Sequence, residues 1–297
     1  MIYVRLTDGL GNQMLQYAAA RALAERRRTR VSVDASAYRD PRNWRHYRLW
    51  HFPRLRLHSL PTQYLTQTFQ WLQRPRSASA HVMTGLGFDP QVTCLPNWTY
   101  LCGFFPSEQY FSDSAVLIRS LFDLSAFLLP GDVARVESLA RGRPCVSMHV
   151  RRGDYVGNEL FGIGNLEGFY RSALREIFNE AGNACVLVFS DDPEWCTNWT
   201  VVRDFDAHVI SGPRRSAFQD LALMASCRHH VIPNSTFAWW AAWLATDPMK
   251  TVRLPSQWLN KWTTRECGLS VPGWIEINIP PSTNCSAEPG GSIAIPS

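Results

Sequence analysis

Two adjacent arginines are the side chains in this sequence best suited to chemistry on an anionic substrate. Arg151 and Arg152 follow an apolar run that is typical of a buried strand, and Gly153 comes directly after them. A guanidinium group keeps its charge and can make two parallel hydrogen bonds to a phosphate. The pattern therefore predicts a phosphate site at the end of this strand. Two alternatives stay open, a solvated surface pair and an ion pair between one arginine and Asp154.

Two other segments could offer backbone N–H groups to an anion. DGLGNQ (8–13) follows the first predicted strand, and its glycines permit a tight turn and close approach to a ligand. PNST (233–236) follows a later strand and opens an apolar helix. A helix N-terminus attracts anions. The first segment is equally compatible with a plain turn, and the second with a simple helix cap. Met14 excludes a dinucleotide fingerprint, which needs glycine at that position.

An acidic pair follows another predicted strand. Asp191 and Asp192 could hold a divalent cation, as in metal-dependent sugar-nucleotide enzymes. Pro193 directly after them favours a helix start instead, because acidic residues and proline are preferred in a first helical turn. The CRHH segment (227–230) lacks the ligand spacing of a zinc site. We therefore predict no metal site.

Composition excludes several classes of protein. Of the 297 residues 45% are apolar, and the net charge of +5 comes from scattered basic residues, so nucleic acid is not an expected partner. No run approaches the ~20 apolar residues of a membrane span, and residues 1–5 lack the pattern of a secretory signal. Eight cysteines without CxxC spacing indicate reduced thiols in a cytoplasmic protein.

Alternating strand-like and helix-like runs predict parallel sheets covered by helices. In the first half, strands at 2–6 and 31–34 flank a helix that starts at residue 13 and ends in the basic run 26–28. The second half predicts strands at 145–150, 185–190, 208–210, 230–232, 251–254 and 274–279. It predicts helices at 167–181, 216–227 and 235–246, the second with a capping box formed by Ser216 and Gln219.

A boundary near residues 142–144 divides the chain into two α/β units. We predict an N-terminal domain over 1–143, a C-terminal domain over 144–280 and a loose tail over 281–297. The aromatic segment 41–110 has weak periodicity and is the hardest to interpret. Its rings could line a sugar-binding face or form an irregular core.

Four motifs together resemble those of the α-1,2-fucosyltransferases, glycosyltransferase family 11. They are DGLGNQMLQYA (8–18), HVRRGDY (149–155), FSDDPEWC (189–196) and NSTFAWWAAWL (234–244). They stand in the family's order and span most of the chain. The short chain without a membrane anchor is similar to the bacterial members.

The resemblance implies a glycosyltransferase-B-like α/β fold, with two Rossmann-like domains facing across a cleft. It implies inverting transfer of fucose from GDP-β-L-fucose to the 2-hydroxyl of a terminal galactose, without a metal ion or other cofactor. The expected acceptor is a galactose-terminated oligosaccharide of a bacterial surface polysaccharide, built at the cytoplasmic side of the inner membrane. The modest positive charge is compatible with peripheral contact with anionic lipid. The sequence leaves the oligomeric state open.

The resemblance also implies roles in donor binding. Arg152 would neutralise the donor diphosphate, Arg151 would support it or reach the nucleoside, and His149 would lie near the nucleotide. Asp220 would accept hydrogen bonds from guanine. Ser235 and Thr236 would offer backbone amides to phosphate. The predicted set is completed by Gly11, Asn12 and Gln13 at the fucose or β-phosphate, and by Asn234 in the later turn.

The base that deprotonates the acceptor hydroxyl is a choice among three acids. Glu159 stands where related α-1,6-fucosyltransferases have a proposed base, and Asp154 and Asp8 are its rivals. Two further functions stay open. One is a fucosyltransferase of other regiochemistry or a transferase of another GDP-sugar. The other is a non-catalytic carbohydrate-binding protein, which the twelve tryptophans would suit.

Overall fold

The computed structural model describes residues 1–55, 58–59, 79–82, 85–164 and 166–279. The strands are β1 Ile2–Arg5, β2 Val31–Asp34, β3 His58–Ser59, β4 Ser79–Val82, β5 Thr99–Cys102, β6 Cys145–Val150, β7 Cys185–Ser190, β8 His208–Val209, β9 His229–Val231, β10 Thr251–Pro255, β11 Gln257–Leu259, β12 Trp262–Thr263 and β13 Ile275–Ile277. The α-helices are α1 Leu10–Arg26, α2 Pro90–Cys94, α3 Ala115–Leu121, α4 Pro130–Ala140, α5 Leu166–Ala181, α6 Pro193–Thr197, α7 Thr200–Asp204, α8 Ala217–Ser226 and α9 Thr236–Leu244.

These strands form two parallel sheets and one small hairpin. The first sheet has the order β3-β2-β1-β5-β4, and the second has the order β13-β10-β9-β6-β7-β8. Every neighbouring pair in both sheets is parallel, and β11 pairs with β12 antiparallel. The predicted α/β class is confirmed, with two Rossmann-like sheets as in a glycosyltransferase-B-like fold.

The predicted strands and helices of the second half are confirmed within one or two residues, including the capping box at α8. The start of α1 was predicted wrongly. The helix begins at Leu10 and not at residue 13, because the chain already turns at Asp8, whose φ is +62°, and Gly9 is the N-cap. Gly11 and Asn12 therefore lie in the first helical turn.

The predicted boundary at residues 142–144 falls in the turn between α4 and β6. Arg141 and Gly142 both have positive φ there, at 48° and 78°. The division into two domains stays a prediction, and the predicted tail, 281–297, lies outside the described residues.

Helix α9 is the central element of the core. Trp239 and Trp240 are fully buried, and Trp243 is nearly so. A buried indole removes roughly 150–250 Å² from water, which contributes about 4–6 kcal/mol before entropic costs. Lys250 Nζ donates to two carbonyls at the C-terminal end of α9, at 2.8 Å each, where a cation suits the helix dipole. These contacts fix the position of the helix and hence of its N-terminus.

In the part of the chain that the structure describes, no single helix has the length and apolar composition of a membrane span. The segments Ser112–Phe127 and Pro130–Ala140, bent by 87°, meet that criterion only as a pair. The seven cysteines in the described ranges are all free thiols.

Candidate functional site

The predicted site segments meet at one edge of the second sheet. β6 lies between β9 and β7, and all three strands run parallel, so their carboxyl ends share an edge. Arg151 and Arg152 follow β6, and Asn234 follows β9. The Tyr155 hydroxyl donates to the Asn234 carbonyl at 2.8 Å and ties the two segments together. Ligands of open α/β sheets bind at such an edge.

The first turn of α1 packs directly on the first turn of α9. A Cβ atom on Gly11 would lie 2.5 Å from the Thr236 carbonyl carbon and 2.6 Å from the Phe237 nitrogen, so only glycine fits. Thr236 Oγ1 donates to Asn12 Oδ1 at 2.8 Å, and Trp240 Nε1 donates to the Gly11 carbonyl at 2.9 Å. The N-termini of two helices, one from each half of the chain, therefore lie side by side.

No side chain of the described residues caps the N-terminus of α9. Ser235 is the N-cap residue, yet its side chain makes no capping hydrogen bond, and the Thr236 hydroxyl is directed to Asn12. The Asn234 amide donates instead to the carbonyls of Phe161 and Trp258, at 3.2 and 3.0 Å. The alternative of a simple helix cap in this segment is therefore wrong. The side chains of Asn234 and Thr236 bind other partners, and that of Ser235 makes no capping hydrogen bond.

Carboxylates hold both predicted diphosphate arginines. Arg151 pairs with Asp191, with 2.6 Å between Nη1 and Oδ2, and also with Asp154. Arg152 Nε donates to Asp192 Oδ2 at 3.0 Å. The alternative of an ion pair between one arginine and Asp154 is thus confirmed for Arg151. A phosphate would have to replace a carboxylate on Arg151, whereas on Arg152 only Nε is engaged by a carboxylate of the described residues.

The acidic pair forms the helix start that its sequence favours. Asp192 is the N-cap of α6, and its Oδ1 accepts from the Trp195 amide at 3.2 Å. Asp191 Oδ1 accepts from the Arg152 amide at 2.9 Å. Among the residues described, no three His, Cys, Asp or Glu side chains are grouped so that they could hold a metal ion.

Arg45 was not predicted as a site residue. It lies in the loop after β2, in the first half of the chain, and its Nη2 is 2.5 Å from Asp154 Oδ2. Its guanidinium lies 3.8 Å above the Trp44 ring and close to Gly9. Neither motif nor spacing connects residue 45 with Asp154, which is 109 positions away. Its one sequence signal is a position among the aromatic residues that could face a sugar.

His149 is buried beside the first turn of α9. Its ring centroid is 5.5 Å from that of Phe237. Burial, and then the charge of Arg151, lower the pKa of His149 to about 3, so the imidazole is neutral near pH 7. Its Nδ1 atom is buried and has no hydrogen-bond partner within the described ranges. The structure thus places His149 next to the arginines, as an uncharged group.

Asp220 lies farther along the same edge of the sheet. Its oxygens accept from Ser211 Oγ at 2.5 Å and from Arg215 Nε at 2.7 Å, and Arg215 also pairs with Asp132. The Ser211 hydroxyl in turn accepts from the Ser190 amide at the end of β7. A carboxylate has about four acceptor sites, so guanine could add hydrogen bonds to Asp220 beside these two partners.

Gln13 lies inside the protein. Its Nε2 donates to the carbonyls of Asp8 and His46, at 2.9 and 2.8 Å, and its Oε1 accepts from the Arg48 amide at 2.9 Å. The side chain is fully buried. In this structure Gln13 therefore fixes the turn and the loop of Arg45, and its predicted contact with a ligand stays a prediction.

The three acids proposed as a base have different surroundings. Both oxygens of Asp154 accept from guanidinium groups, those of Arg45 and Arg151. Glu159 is exposed on the loop between β6 and α5. Asp8 has a left-handed backbone, held by hydrogen bonds from Gln13 and from the Tyr38 hydroxyl to its carbonyl.

The aromatic segment 41–110 divides between core and surface. Phe52 is buried, whereas Trp44 is 63% exposed and Trp50 is 62% exposed. Trp71 lies outside the described residues. The irregular core is therefore confirmed for Phe52, and the sugar-binding face stays a prediction for the exposed rings. Among these, Trp44 is connected to the charged edge through Arg45.

Residues 1–278 match the family described as Glycosyl transferase family 11. An α-1,2-colitosyltransferase of Escherichia coli is 27% identical over 300 residues, covering 93% of this chain and 99% of the relative. The O-antigen biosynthesis glycosyltransferase WbnK of Escherichia coli is 26% identical over 306 residues, covering 93% and 100%.

A mammalian relative and a solved structure also match. The galactoside α-(1,2)-fucosyltransferase 1 of Alouatta belzebul is 30% identical over 192 residues, covering 60% of this chain and 52% of the relative. A crystal structure of NodZ α-1,6-fucosyltransferase soaked with GDP-fucose aligns with 82% of this chain and 92% of its own, with 15% identity and a TM-score of 0.44.

Proposed function

This chain belongs to glycosyltransferase family 11, and from that premise we propose that it is a galactoside α-1,2-fucosyltransferase. It transfers L-fucose from GDP-β-L-fucose to the 2-hydroxyl of a terminal galactose, with inversion at the anomeric carbon. The observation that carries the proposal is the juxtaposition of Arg151 and Arg152 with the uncapped N-terminus of α9. The name of the Alouatta relative, a galactoside α-(1,2)-fucosyltransferase, supports the sugar and the linkage.

The site suits a reaction in which a diphosphate departs. As the bond between fucose C1 and the phosphate oxygen breaks, negative charge grows on GDP and the sugar becomes oxocarbenium-like. Guanidinium groups and backbone amides fixed in advance stabilise that charge, and such stabilisation is usually the largest catalytic contribution. Arg152 and the first-turn amides of α9 supply it in our proposal. Arg151 supports them, and the neutral His149 lies alongside.

The ion pairs around the arginines hold these side chains in place before the donor binds. A diphosphate would replace Asp191 or Asp154 on Arg151 and would bind the terminal nitrogens of Arg152, whose Nε stays with Asp192. Because the guanidinium groups are already positioned, little side-chain entropy would be lost on binding. Trp195, 3.7 Å from the Arg152 guanidinium, would keep that group in position during the exchange.

A carboxylate base would take the proton of the acceptor hydroxyl as the new bond forms. We propose Glu159, because it is exposed and borne on the loop that starts at the paired arginines. The oxygens of Asp154 are engaged by two guanidinium groups, which makes it the first alternative and not the first choice. No metal ion takes part in the proposed reaction.

A different donor is the second candidate, favoured by one relative. The Escherichia coli protein that is 27% identical over 93% of this chain is named an α-1,2-colitosyltransferase. Colitose is L-fucose without its 3-hydroxyl, so the two sugars differ in a single polar group. The corresponding reaction here would use GDP-colitose and form the same α-1,2 linkage.

The test is incubation of the purified protein with each GDP-sugar and a panel of galactosides, followed by NMR of the product. Our proposal predicts an α-1,2-fucosyl linkage, formed equally well in EDTA. Transfer of colitose alone would favour the second candidate, and another linkage would reject the regiochemistry. Glycan binding without any affinity for GDP would indicate a non-catalytic carbohydrate-binding protein.

We propose a bacterial surface polysaccharide as the acceptor and the cytoplasmic side of the inner membrane as the place of action. The name of the second Escherichia coli relative, an O-antigen biosynthesis glycosyltransferase, supports this acceptor class. Fractionation of cells that express the protein tests the location. Recovery with the cytosol or the inner membrane is expected, and recovery outside the cell would contradict it.

A further inference from the structure

Asp154 is shared by two arginines that come from different halves of the chain. Arg151 lies two residues after β6, and Arg45 lies in the loop after β2. Both bind the same carboxylate, one on each oxygen. The side chains of Arg45 and Asp154 are only 26% and 28% exposed, so their charges are only partly screened by water.

Arg45 is held on three sides. Its guanidinium lies 3.8 Å above the Trp44 ring, Gly9 leaves room for it on a second side, and Asp154 binds it on the third. Burial, the largest cause, lowers the pKa of the Arg45 guanidinium, and Asp154 acts in the opposite direction. A partly buried cation of this kind is stable only beside an anion.

Donor binding changes the balance of charge around Arg151. In the structure this guanidinium serves two carboxylates, Asp154 and Asp191. A diphosphate that takes Arg151 leaves Asp154 close to new negative charge. Without another cation, Asp154 would either retain Arg151 or repel the diphosphate. Arg45 is the other cation on Asp154.

We propose that Arg45 is a positioning residue for the donor. Arg45 neutralises part of the charge of Asp154 and so keeps Arg151 available to the diphosphate. The proposal rests on the proposed function, since it assumes that a nucleoside diphosphate binds at this edge. It assigns a part in donor binding to Arg45, a residue of the first half that lies outside the four motifs.

The experiment measures GDP binding by isothermal titration calorimetry for Arg45→Ala, Asp154→Asn and the double variant. Arg45→Ala should weaken GDP binding about tenfold, within the range of coupling energies measured for neighbouring side chains. Asp154→Asn should bind GDP at least as well as the parent protein, because its amide no longer competes for Arg151. The double variant should regain the lost affinity, because no carboxylate is left to neutralise.

Two results would overturn the proposal. One is parent-like GDP binding by Arg45→Ala, and the other is a double variant as weak as Arg45→Ala, which would indicate a merely structural role. Arg42→Ala is the matched control and should bind GDP normally. Arg42 lies in the same loop, is 91% exposed and, among the described residues, pairs only with Asp40, two positions before it. Arg45→Gln replaces Arg45→Ala if circular dichroism shows that the latter does not fold.

Failure of the proposed function gives a different result. If the parent protein itself does not bind GDP, the assignment of the edge to a donor diphosphate is wrong, and the role of Arg45 is wrong with it. If the parent protein binds GDP and the variants do not follow the expected order, the role of Arg45 alone is rejected.

Discussion

The edges of the two sheets meet at the candidate site but carry different chemistry. The edge of the second sheet carries a dense set of charges, with Arg151 and Arg152 each held by acidic residues. The first turn of α1, beyond the first sheet, is neutral, and its Gly11 and Gln13 serve packing and internal hydrogen bonds. The first half of the chain contributes Arg45, a cation, to the charged edge of the second sheet. In our proposal the second sheet neutralises the leaving group, and the first turn of α1 sets the geometry.

The largest effect is expected from the base, which our proposal places in the second half. Glu159→Gln should lower kcat by roughly 10²–10⁴-fold, the contribution typical of a general base, and should leave GDP affinity unchanged. Steady-state kinetics and calorimetry measure the two quantities. Glu194→Gln, an exposed acid in the first turn of α6, is the control. An unchanged kcat would direct the search to Asp154 and then Asp8.

The charged edge itself should tolerate the loss of Arg152 structurally but not functionally. Arg152→Ala removes one stabilising group from the leaving diphosphate, which typically costs about 2.7–4 kcal/mol of barrier, or roughly 10²–10³-fold in kcat. Circular dichroism should show a folded protein. Arg203→Ala, at an exposed arginine on α7, should keep full activity. Near-normal turnover by Arg152→Ala would exclude it from the diphosphate site.

A substitution in the neutral first turn of α1 should lower the free energy of unfolding. Gly11→Ala would force the first turns of α1 and α9 apart, because the new Cβ meets backbone atoms at 2.5–2.6 Å. Overpacking of this kind destabilises by about 1–3 kcal/mol, measurable by urea denaturation, and activity should fall with it. Gly131→Ala on α4 is the control, since no atom of the described segments lies within 4 Å of its added Cβ. Equal stability of the two variants would contradict the contact.

The last effect concerns His149 and is confined to acid pH. Its pKa is lowered from 6.5 to about 3 in the folded protein, so the unfolded chain binds the proton more readily between these values. The free energy of unfolding should therefore fall as pH drops from about 6.5 towards 3 and stay level above that window.

His149→Gln removes this contribution. The free energy of unfolding of this variant should therefore fall less between about pH 6.5 and pH 3 than that of the parent protein. Urea denaturation across the window measures it. His46→Gln, at an exposed histidine, should leave the pH dependence as it is. Identical pH profiles for His149→Gln and the parent protein would show that His149 is not buried as a neutral group.

Much of the second sheet could be predicted from sequence because its signals are local. Apolar runs such as Cys145–Val150 mark strands buried on both faces, and the acidic pair before Pro193 marks a helix start, as the structure confirms. The rule that ligands bind at the carboxyl ends of parallel strands then indicated which segments to compare, and these segments carry the four motifs that resemble one family. Local patterns and a shared order of motifs sufficed for these features.

Other features depend on contacts between distant residues, which local patterns do not encode. Gly11 was predicted to approach a ligand, but its lack of a side chain is required by Thr236, 225 positions later. The pairing of Arg45 with Asp154 is set by how the two halves meet. β3, β4 and β5 were also not predicted, because the aromatic segment around them lacks a clear period.

A crystal structure of the protein with GDP tests the central proposal most directly, which is that the paired arginines and the N-terminus of α9 bind the donor diphosphate. We predict phosphate oxygens within hydrogen-bond distance of the Arg152 guanidinium and of a backbone amide among residues 235–237. Nucleotide density at another edge of either sheet, with Arg151 and Arg152 still paired to Asp154, Asp191 and Asp192, would contradict it.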